Sequence, residues 1–221
     1  MRIVLIGPGD IKFHYTELLN IPEGKFNGHI DDIAKALVES SSELVLLPDR
    51  GICFEVAKRY KQYGGSKVYG TVPLSDKDFG IKHLQPFMDA EIDGEKVFDE
   101  FIDTKDWYRQ DLTHCIFGDV ILMLGNSLGA QGELDYAYYL YKLFIGDKPE
   151  VNVAKKKIHP EVRAGDSVQF TTIVYKPFIK EKLNAEIEAY IRKHKGDVFY
   201  VKSAEALKSK LDELVSIAKQ R

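Results

Sequence analysis

Apolar residues follow two rhythms along the chain. Short unbroken runs at Arg2–Ile6, Leu44–Leu47, Val68–Val72, Asp119–Leu124, Thr171–Tyr175 and Val198–Val201 have strand length. They lack the in–out alternation of a sheet with one wet face, which predicts strands buried on both sides. Between them the apolar positions recur at helical spacing. Ile30, Ile33, Ala34, Leu37 and Val38 share one helix face. Helices are also predicted over Ile52–Tyr63, ended by Gly64-Gly65, over Asp106–Phe117, Ala130–Phe144 and Lys182–Lys193, and from a Ser203 N-cap to Ala218. Residues 11–28 read as an irregular loop with a helical turn. Residues 74–100 carry a short helix at Ile81–Met88 and a hairpin turned at Asp93-Gly94. Residues 146–169 are polar and Lys-rich, with Pro149, Pro160 and Gly165, and read as an insertion.

Strands that alternate with helices predict an α/β fold. The expectation is a Rossmann-like, doubly wound, mainly parallel sheet with helices on both faces, forming a single domain over residues 1–221. Such sheets bind ligands beyond the C-terminal strand ends, where the strand order switches direction. Three turns fall at predicted strand ends: Gly7-Pro8-Gly9-Asp10, Pro48-Asp49-Arg50-Gly51 and Gly125-Asn126-Ser127-Leu128-Gly129. Their shared location says more than any one of them.

Composition narrows the function classes. The chain has 221 residues, 44% hydrophobic and 29% charged, with a formal net charge of -3. That balance argues against broad electrostatic binding to nucleic acid or to an anionic membrane. No apolar run approaches the ~20 residues that span a bilayer. Met1-Arg2-Ile3-Val4-Leu5-Ile6-Gly7 reads as a first strand rather than a signal peptide. Two cysteines, Cys53 and Cys115, make no disulfide framework, so a reducing, cytoplasmic setting is expected. The histidines show no metal-ligand spacing, and neither a metal site nor a cofactor is expected.

The stretch from Asp119 through Gly129 into a helix is the clearest chemical signal. Gly125, Asn126, Ser127, Gly129 and Ala130 offer backbone N–H groups at a helix N-terminus, a natural anion site. Glu133 stands about one turn further, where a carboxylate faces the same spot. The alternatives are a tight strand-to-helix connection and a charge that merely favours the helix dipole. No Lys-Ser/Thr pair follows the glycines, so this is not a nucleoside-triphosphate P-loop, and Lys12 breaks any dinucleotide fingerprint after Gly7 and Gly9. Gly7 and Gly9 let backbone approach a ligand closely. Asp10 bonds a ribose hydroxyl or caps the chain entry. Arg50, with Gly51 after it, is a second phosphate candidate. Arg109 offers a bidentate fork to phosphate, or forms a surface ion pair with Asp106 or Asp111. The tyrosines Tyr136, Tyr138, Tyr139 and Tyr141 suit a core and an interface, including a dimer.

The order of elements resembles the SLOG superfamily, which includes the Lonely Guy proteins, long misannotated as lysine decarboxylases, and the molybdenum cofactor carrier-like proteins. Their hallmark is a strand ending in Pro-Gly-Gly-x-Gly-Thr-x-x-Glu. Here Gly129 and Glu133 match by position, while Gly125 replaces the Pro, Asn126 and Ser127 the paired glycines, and Ala130 the Thr. The family's earlier glycine cluster is Leu47-Pro48-Asp49-Arg50, leaving Gly51. Arg109 lies near the place of the family's catalytic Arg. In Lonely Guy enzymes that Arg and Glu serve hydrolysis of the N-glycosidic bond of a nucleoside 5′-monophosphate. The resemblance implies a nucleotide or phosphorylated nucleoside as ligand and a homodimer. Three functions are therefore expected alternatives: a nucleotide sensor or carrier, a phosphoribohydrolase using Glu133 and Arg109, and an assembly protein with a vestigial pocket.

Overall fold

The computed structural model describes residues 1–142, 161–163 and 165–220. Most of the polar insertion expected at 146–169 lies outside the described residues. In chain order the elements are β1 (Arg2–Ile6), α1 (Glu23–Glu39), β2 (Glu43–Leu46), α2 (Ile52–Gln62), β3 (Val68–Val72) and α3 (Gln85–Met88). A small hairpin follows, β4 (Glu91–Ile92) and β5 (Glu95–Lys96), then β6 (Glu100–Asp103), α4 (Trp107–Thr113), β7 (Val120–Met123) and α5 (Leu128–Tyr141). The chain closes with β8 (Thr171–Tyr175), α6 (Ala185–Lys193), β9 (Asp197–Val201) and α7 (Ala204–Lys219).

Seven strands form one parallel sheet in the order β6-β3-β2-β1-β7-β8-β9. The chain builds outward from β1 through β2, β3 and β6, then returns to lay β7 on the other side of β1. That reversal makes β1/β7 the switch point, with Ile3 opposite both Leu44 and Val120. Every residue of β1 is buried, because both faces are covered. Ile3 and Leu5 pack with residues of α1, α2 and α7, including Ile33, Val56 and Leu211. Val4 and Ile6 point the opposite way, to Leu134 and Ala137 of α5 and Ile191 of α6. The expected α/β, doubly wound architecture is the one observed.

Local differences from the sequence reading have local causes. β6 was not expected; it is a four-residue edge strand with Glu100 and Phe101 exposed, so it lacks the apolar run of its neighbours. Residues 11–28 are more ordered than a loop. Lys12–Leu18 is a π-helical stretch, with the Leu19 N–H donating to the His14 carbonyl at 3.1 Å, and α1 starts at Glu23. The expected helix Asp106–Phe117 divides into α4 and a 3₁₀ turn at His114–Phe117. α5 starts at Leu128, not Ala130, because Ser127 is its N-cap and its Oγ accepts from the Ala130 N–H at 3.2 Å. α6 starts at Ala185, not Lys182, with Asn184 as its cap. No described helix is long and apolar enough to cross a membrane.

Candidate functional site

β1 delivers the chain to the C-terminal edge of the sheet at Gly7-Pro8-Gly9, and β2 delivers it to Leu47–Gly51 at the start of α2. These two turns lie backbone against backbone. The Ile52 N–H donates to the Pro8 carbonyl at 3.2 Å. Gly51 is the N-cap of α2, with φ of 125°, and a Cβ there would stand 2.6 Å from Gly9 Cα and from Pro8 O. A Cβ on Gly7 would meet Ile52 Cγ2 at 2.5 Å. The glycines therefore permit a seam that no side chain fits.

Above that seam is a cavity of about 120 Å³, lined by Leu5, Ile6, Gly7, Gly9, Leu47, Asp49, Arg50, Ile52, Cys53, His114 and Glu133. It lies over the ends of β1 and β2, with the N-terminus of α2 on one side and Glu133 of α5 on the other. The first N–H groups of a helix have no intrahelical acceptor and carry the positive end of its dipole. Arg50 stands exposed on the same turn.

The electrostatics follow from burial. Desolvation, with a smaller contribution from the charge of Asp111, raises the Glu133 carboxyl to about 8, so it is a neutral acid at pH 7. Burial pushes the Cys53 thiol far up, with Glu133 adding to the shift, so Cys53 is an inert wall rather than a nucleophile. Burial lowers His114 to about 4 and leaves it neutral. The cavity thus presents an exposed cation, Arg50, a protonated acid, and the side chain of Asp49, whose Oδ1 accepts from the Arg50 N–H at 2.7 Å.

Gly7, Gly9, Arg50 and Glu133, singled out from the sequence, meet at this cavity, and Gly51 forms its supporting seam. The other singled-out residues are elsewhere. Asp10 is exposed, and its Oδ1 accepts from the Phe13 N–H at 3.0 Å. Arg109 is exposed on α4 and paired with its cap, Asp106, at 3.4 Å. Gly125 is buried, with φ of 150°; a Cβ there would lie 2.7 Å from Pro8 Cδ and 2.9 Å from Tyr15 Oη. Ser127 spends its hydroxyl on the α5 cap, while Asn126 and Gly129 are exposed and Ala130 is buried. None of these residues lines the cavity.

Sequence reasoning missed Leu47, Asp49, Ile52, Cys53 and His114 as cavity walls. The turn at Pro48-Asp49-Arg50-Gly51 was the available signal for Asp49 and Ile52. His114 had none, because its surroundings come from distant strands. Among the described residues, no group of three or more His, Cys, Asp or Glu is placed to hold a metal ion.

The π-helical stretch joins the two halves of the sheet here. Tyr15 is fully buried, and its hydroxyl donates to the Leu124 carbonyl at the end of β7, at 2.5 Å. A Tyr15→Phe variant leaves that carbonyl short of a partner and is expected to lose about 1–3 kcal/mol of unfolding free energy in urea titrations. An unchanged midpoint would show that the bond contributes nothing.

No family model and no curated protein sequence matches the chain. Solved structures do. A molybdenum cofactor carrier protein from Chlamydomonas reinhardtii superposes with a TM-score of 0.56 at 15% identity, over 97% of this chain and 98% of its own. A molybdenum cofactor binding protein from the phototrophic bacterium Rippkaea orientalis gives 0.56 at 13% identity, over 97% of this chain and 96% of its own. At such identities the likeness concerns the fold, and it extends over nearly the whole length of both proteins. The chain has the Rossmann-like fold of the molybdenum cofactor carrier proteins.

Proposed function

We propose that this protein is a binding protein, a sensor or carrier, for a nucleotide or phosphorylated nucleoside held at the C-terminal ends of β1 and β2. The observation that carries the reading is the cavity between the α2 N-terminus and Glu133, where Arg50 supplies positive charge and the acid is held neutral. An ionised carboxylate there would repel phosphate; a protonated one donates a hydrogen bond to it. N–H groups in the first turn of α2 beyond Ile52, whose own N–H is held by Pro8, supply the remaining donors. Gly7 and Gly9 let a ribose or base approach the backbone. In this reading the loop Gly125–Ala130 and Asp10 contact the part of the ligand that extends from the cavity toward α5.

The reading fits one domain over residues 1–221 in a cytoplasmic homodimer, with exposed Tyr136 and Tyr139 of α5 at the interface. Sedimentation of the purified chain tests the dimer. The test of function is a thermal-shift screen with nucleoside monophosphates, inorganic phosphate and the molybdenum cofactor, the last being the cargo named for the structural neighbours. A stabilising shift with a phosphorylated nucleoside supports the proposal, and its absence with every nucleotide removes it in favour of an assembly protein. Arg50→Ala is expected to weaken a phosphate-bearing ligand roughly fivefold to tenfold, about 1–1.4 kcal/mol, with the fold unchanged. Equal affinity would place the phosphate elsewhere.

The neutral acid favours one second reading, hydrolysis of the N-glycosidic bond. Glu133 would protonate the departing base, water would add to the anomeric carbon of the oxocarbenium-like sugar and return a proton to Glu133, and Arg109 would exchange Asp106 for the substrate's phosphate. Release of free base from a bound nucleotide, lost in both Glu133→Gln and Arg109→Ala, is its signature.

A further inference from the structure

A chain of buried polar side chains runs from beneath β6 to the wall of the cavity. Thr104 Oγ1 lies 2.7 Å from Gln110 Oε1, Gln110 Nε2 lies 3.1 Å from Thr71 Oγ1, and Thr71 Oγ1 lies 2.7 Å from His114 Nδ1. His114 Nε2 then faces the Leu5 carbonyl at 3.4 Å. Thr71, Thr104 and Gln110 are 0% exposed and His114 is 1% exposed. Four polar side chains in the dry interior beside a pocket are costly unless each is satisfied, and here each has a partner.

The direction of the chain is set by its last member. A backbone carbonyl only accepts, so His114 Nε2 carries the proton and donates to Leu5. Nδ1 of the neutral ring is then an acceptor, and Thr71 must donate to it. With its proton committed, Thr71 accepts from the Gln110 amide NH₂, and Gln110 Oε1 accepts from Thr104. The opposite amide orientation would end in two acceptors facing each other at Leu5. One arrangement of four side chains therefore satisfies every partner.

We propose that Gln110, Thr71 and Thr104 form a positioning network that fixes His114 as the Nε2–H tautomer and thereby sets the wall of the cavity that Glu133 faces. Both ring nitrogens are occupied by protein, so His114 offers a ligand the uncharged carbon edge of its ring. The titratable and charged groups that line the cavity with it are Glu133 from α5, Cys53 from α2, and Asp49 and Arg50 from the turn after β2, and Asp111 and Cys115 flank it on its own segment. Burial keeps the ring neutral and raises Glu133, so the two groups do not titrate together. Gln110 never reaches the cavity and acts through Thr71. The inference rests on the cavity being the site, but its tests need no ligand.

The experiment is ¹⁵N NMR of the histidine rings and ¹³C NMR of the Glu133 carboxyl in wild type, Gln110→Leu, Thr71→Val and Thr71→Ser. Wild-type His114 is expected to show a protonated Nε2 and a bare Nδ1 from about pH 6 to pH 8. Thr71→Val removes the donor to Nδ1 and Gln110→Leu frees Thr71 to turn. In both, the single tautomer is expected to give way to a mixture, and the Glu133 midpoint to move by roughly half a pH unit or more. Thr71→Ser keeps the hydroxyl and is expected to restore both signals. An Nδ1–H tautomer or an imidazolium in wild type would overturn the proposal, a readout that stands even if a variant fails to fold. So would variants that lose the tautomer while Glu133 titrates unchanged, because the network would then be structural only. Failure of every nucleotide to bind wild type would remove the ligand reading and leave these two readouts to decide the network.

Discussion

Gly51→Ala is expected to destabilise the protein by between about 2 and 6 kcal/mol, a large part of the ~5–15 kcal/mol that holds a typical domain folded. Two independent effects add. The residue has φ of 125°, a region that an L side chain occupies at about 1–3 kcal/mol. The new methyl would also stand 2.6 Å from Gly9 Cα and 2.6 Å from Pro8 O. Those are backbone atoms, held by the Ile52 N–H bond to Pro8 O, so no rotamer change relieves the clash, and overpacking of this kind costs about 1–3 kcal/mol more. Urea titration should show a lower midpoint with an unchanged slope. The seam forms the floor of the cavity, so whatever ligand stabilises wild type should stabilise the variant less. Gly28→Ala is the control. It lies inside α1 with open space around the added methyl and should gain about 0.5–1 kcal/mol. Equal stability of the two variants would show that the turns are not locked together.

That seam also marks where the sequence was legible and where it was not. The parallel sheet was readable because Arg2–Ile6, Val68–Val72 and Thr171–Tyr175 are buried on both faces and therefore lack an in–out alternation of apolar and polar residues. β6 was not readable, since an edge strand with exposed Glu100 and Phe101 has no such run. The turns Gly7–Gly9 and Pro48–Gly51 were identifiable as special by composition. Their contact with each other was not, because it depends on β1 and β2 being neighbours in register. Glu133 could be found from its place one turn into a glycine-flanked helix. That it lines one cavity with Arg50 while Gly125–Ala130 do not goes with the tuck of Gly125 against Pro8 and Tyr15. A local motif cannot report a contact between residues 8, 15 and 125. Asp106, read as one possible partner of Arg109, is the partner observed, with its side chain also capping α4. His114 carries no metal-ligand spacing in the sequence. Its partners, Thr71 and the Leu5 carbonyl, come from two other strands and leave no trace in local sequence.

Glu133→Gln is expected to stabilise the protein increasingly as pH rises from about 4.5 to about 8. The free carboxyl titrates near 4.5 in the unfolded chain and near 8 in the folded one. Below pH 4.5 it is protonated in both states and changes nothing. Between the two values the unfolded chain releases its proton while the folded chain retains it, so folding is opposed by about 1.4 kcal/mol for each pH unit. Above about pH 8 both states are ionised and the difference stays level. Glutamine keeps the shape of the neutral acid and never ionises. The variant should therefore match wild type near pH 4.5 and exceed it by up to roughly 4–5 kcal/mol at pH 8.5, measured by paired urea titrations across the range. Two curves that run parallel would mean a solvated, ionised Glu133 and would remove the neutral donor from the proposed site. The same pair of proteins separates binding from catalysis. A carrier that needs only a hydrogen-bond donor keeps its affinity in Glu133→Gln and loses the drop in affinity that wild type shows as Glu133 ionises above about pH 8. A hydrolase needs the proton itself, so the glutamine variant should bind nucleotide yet release base about 10²–10⁴-fold more slowly, the usual contribution of a general acid.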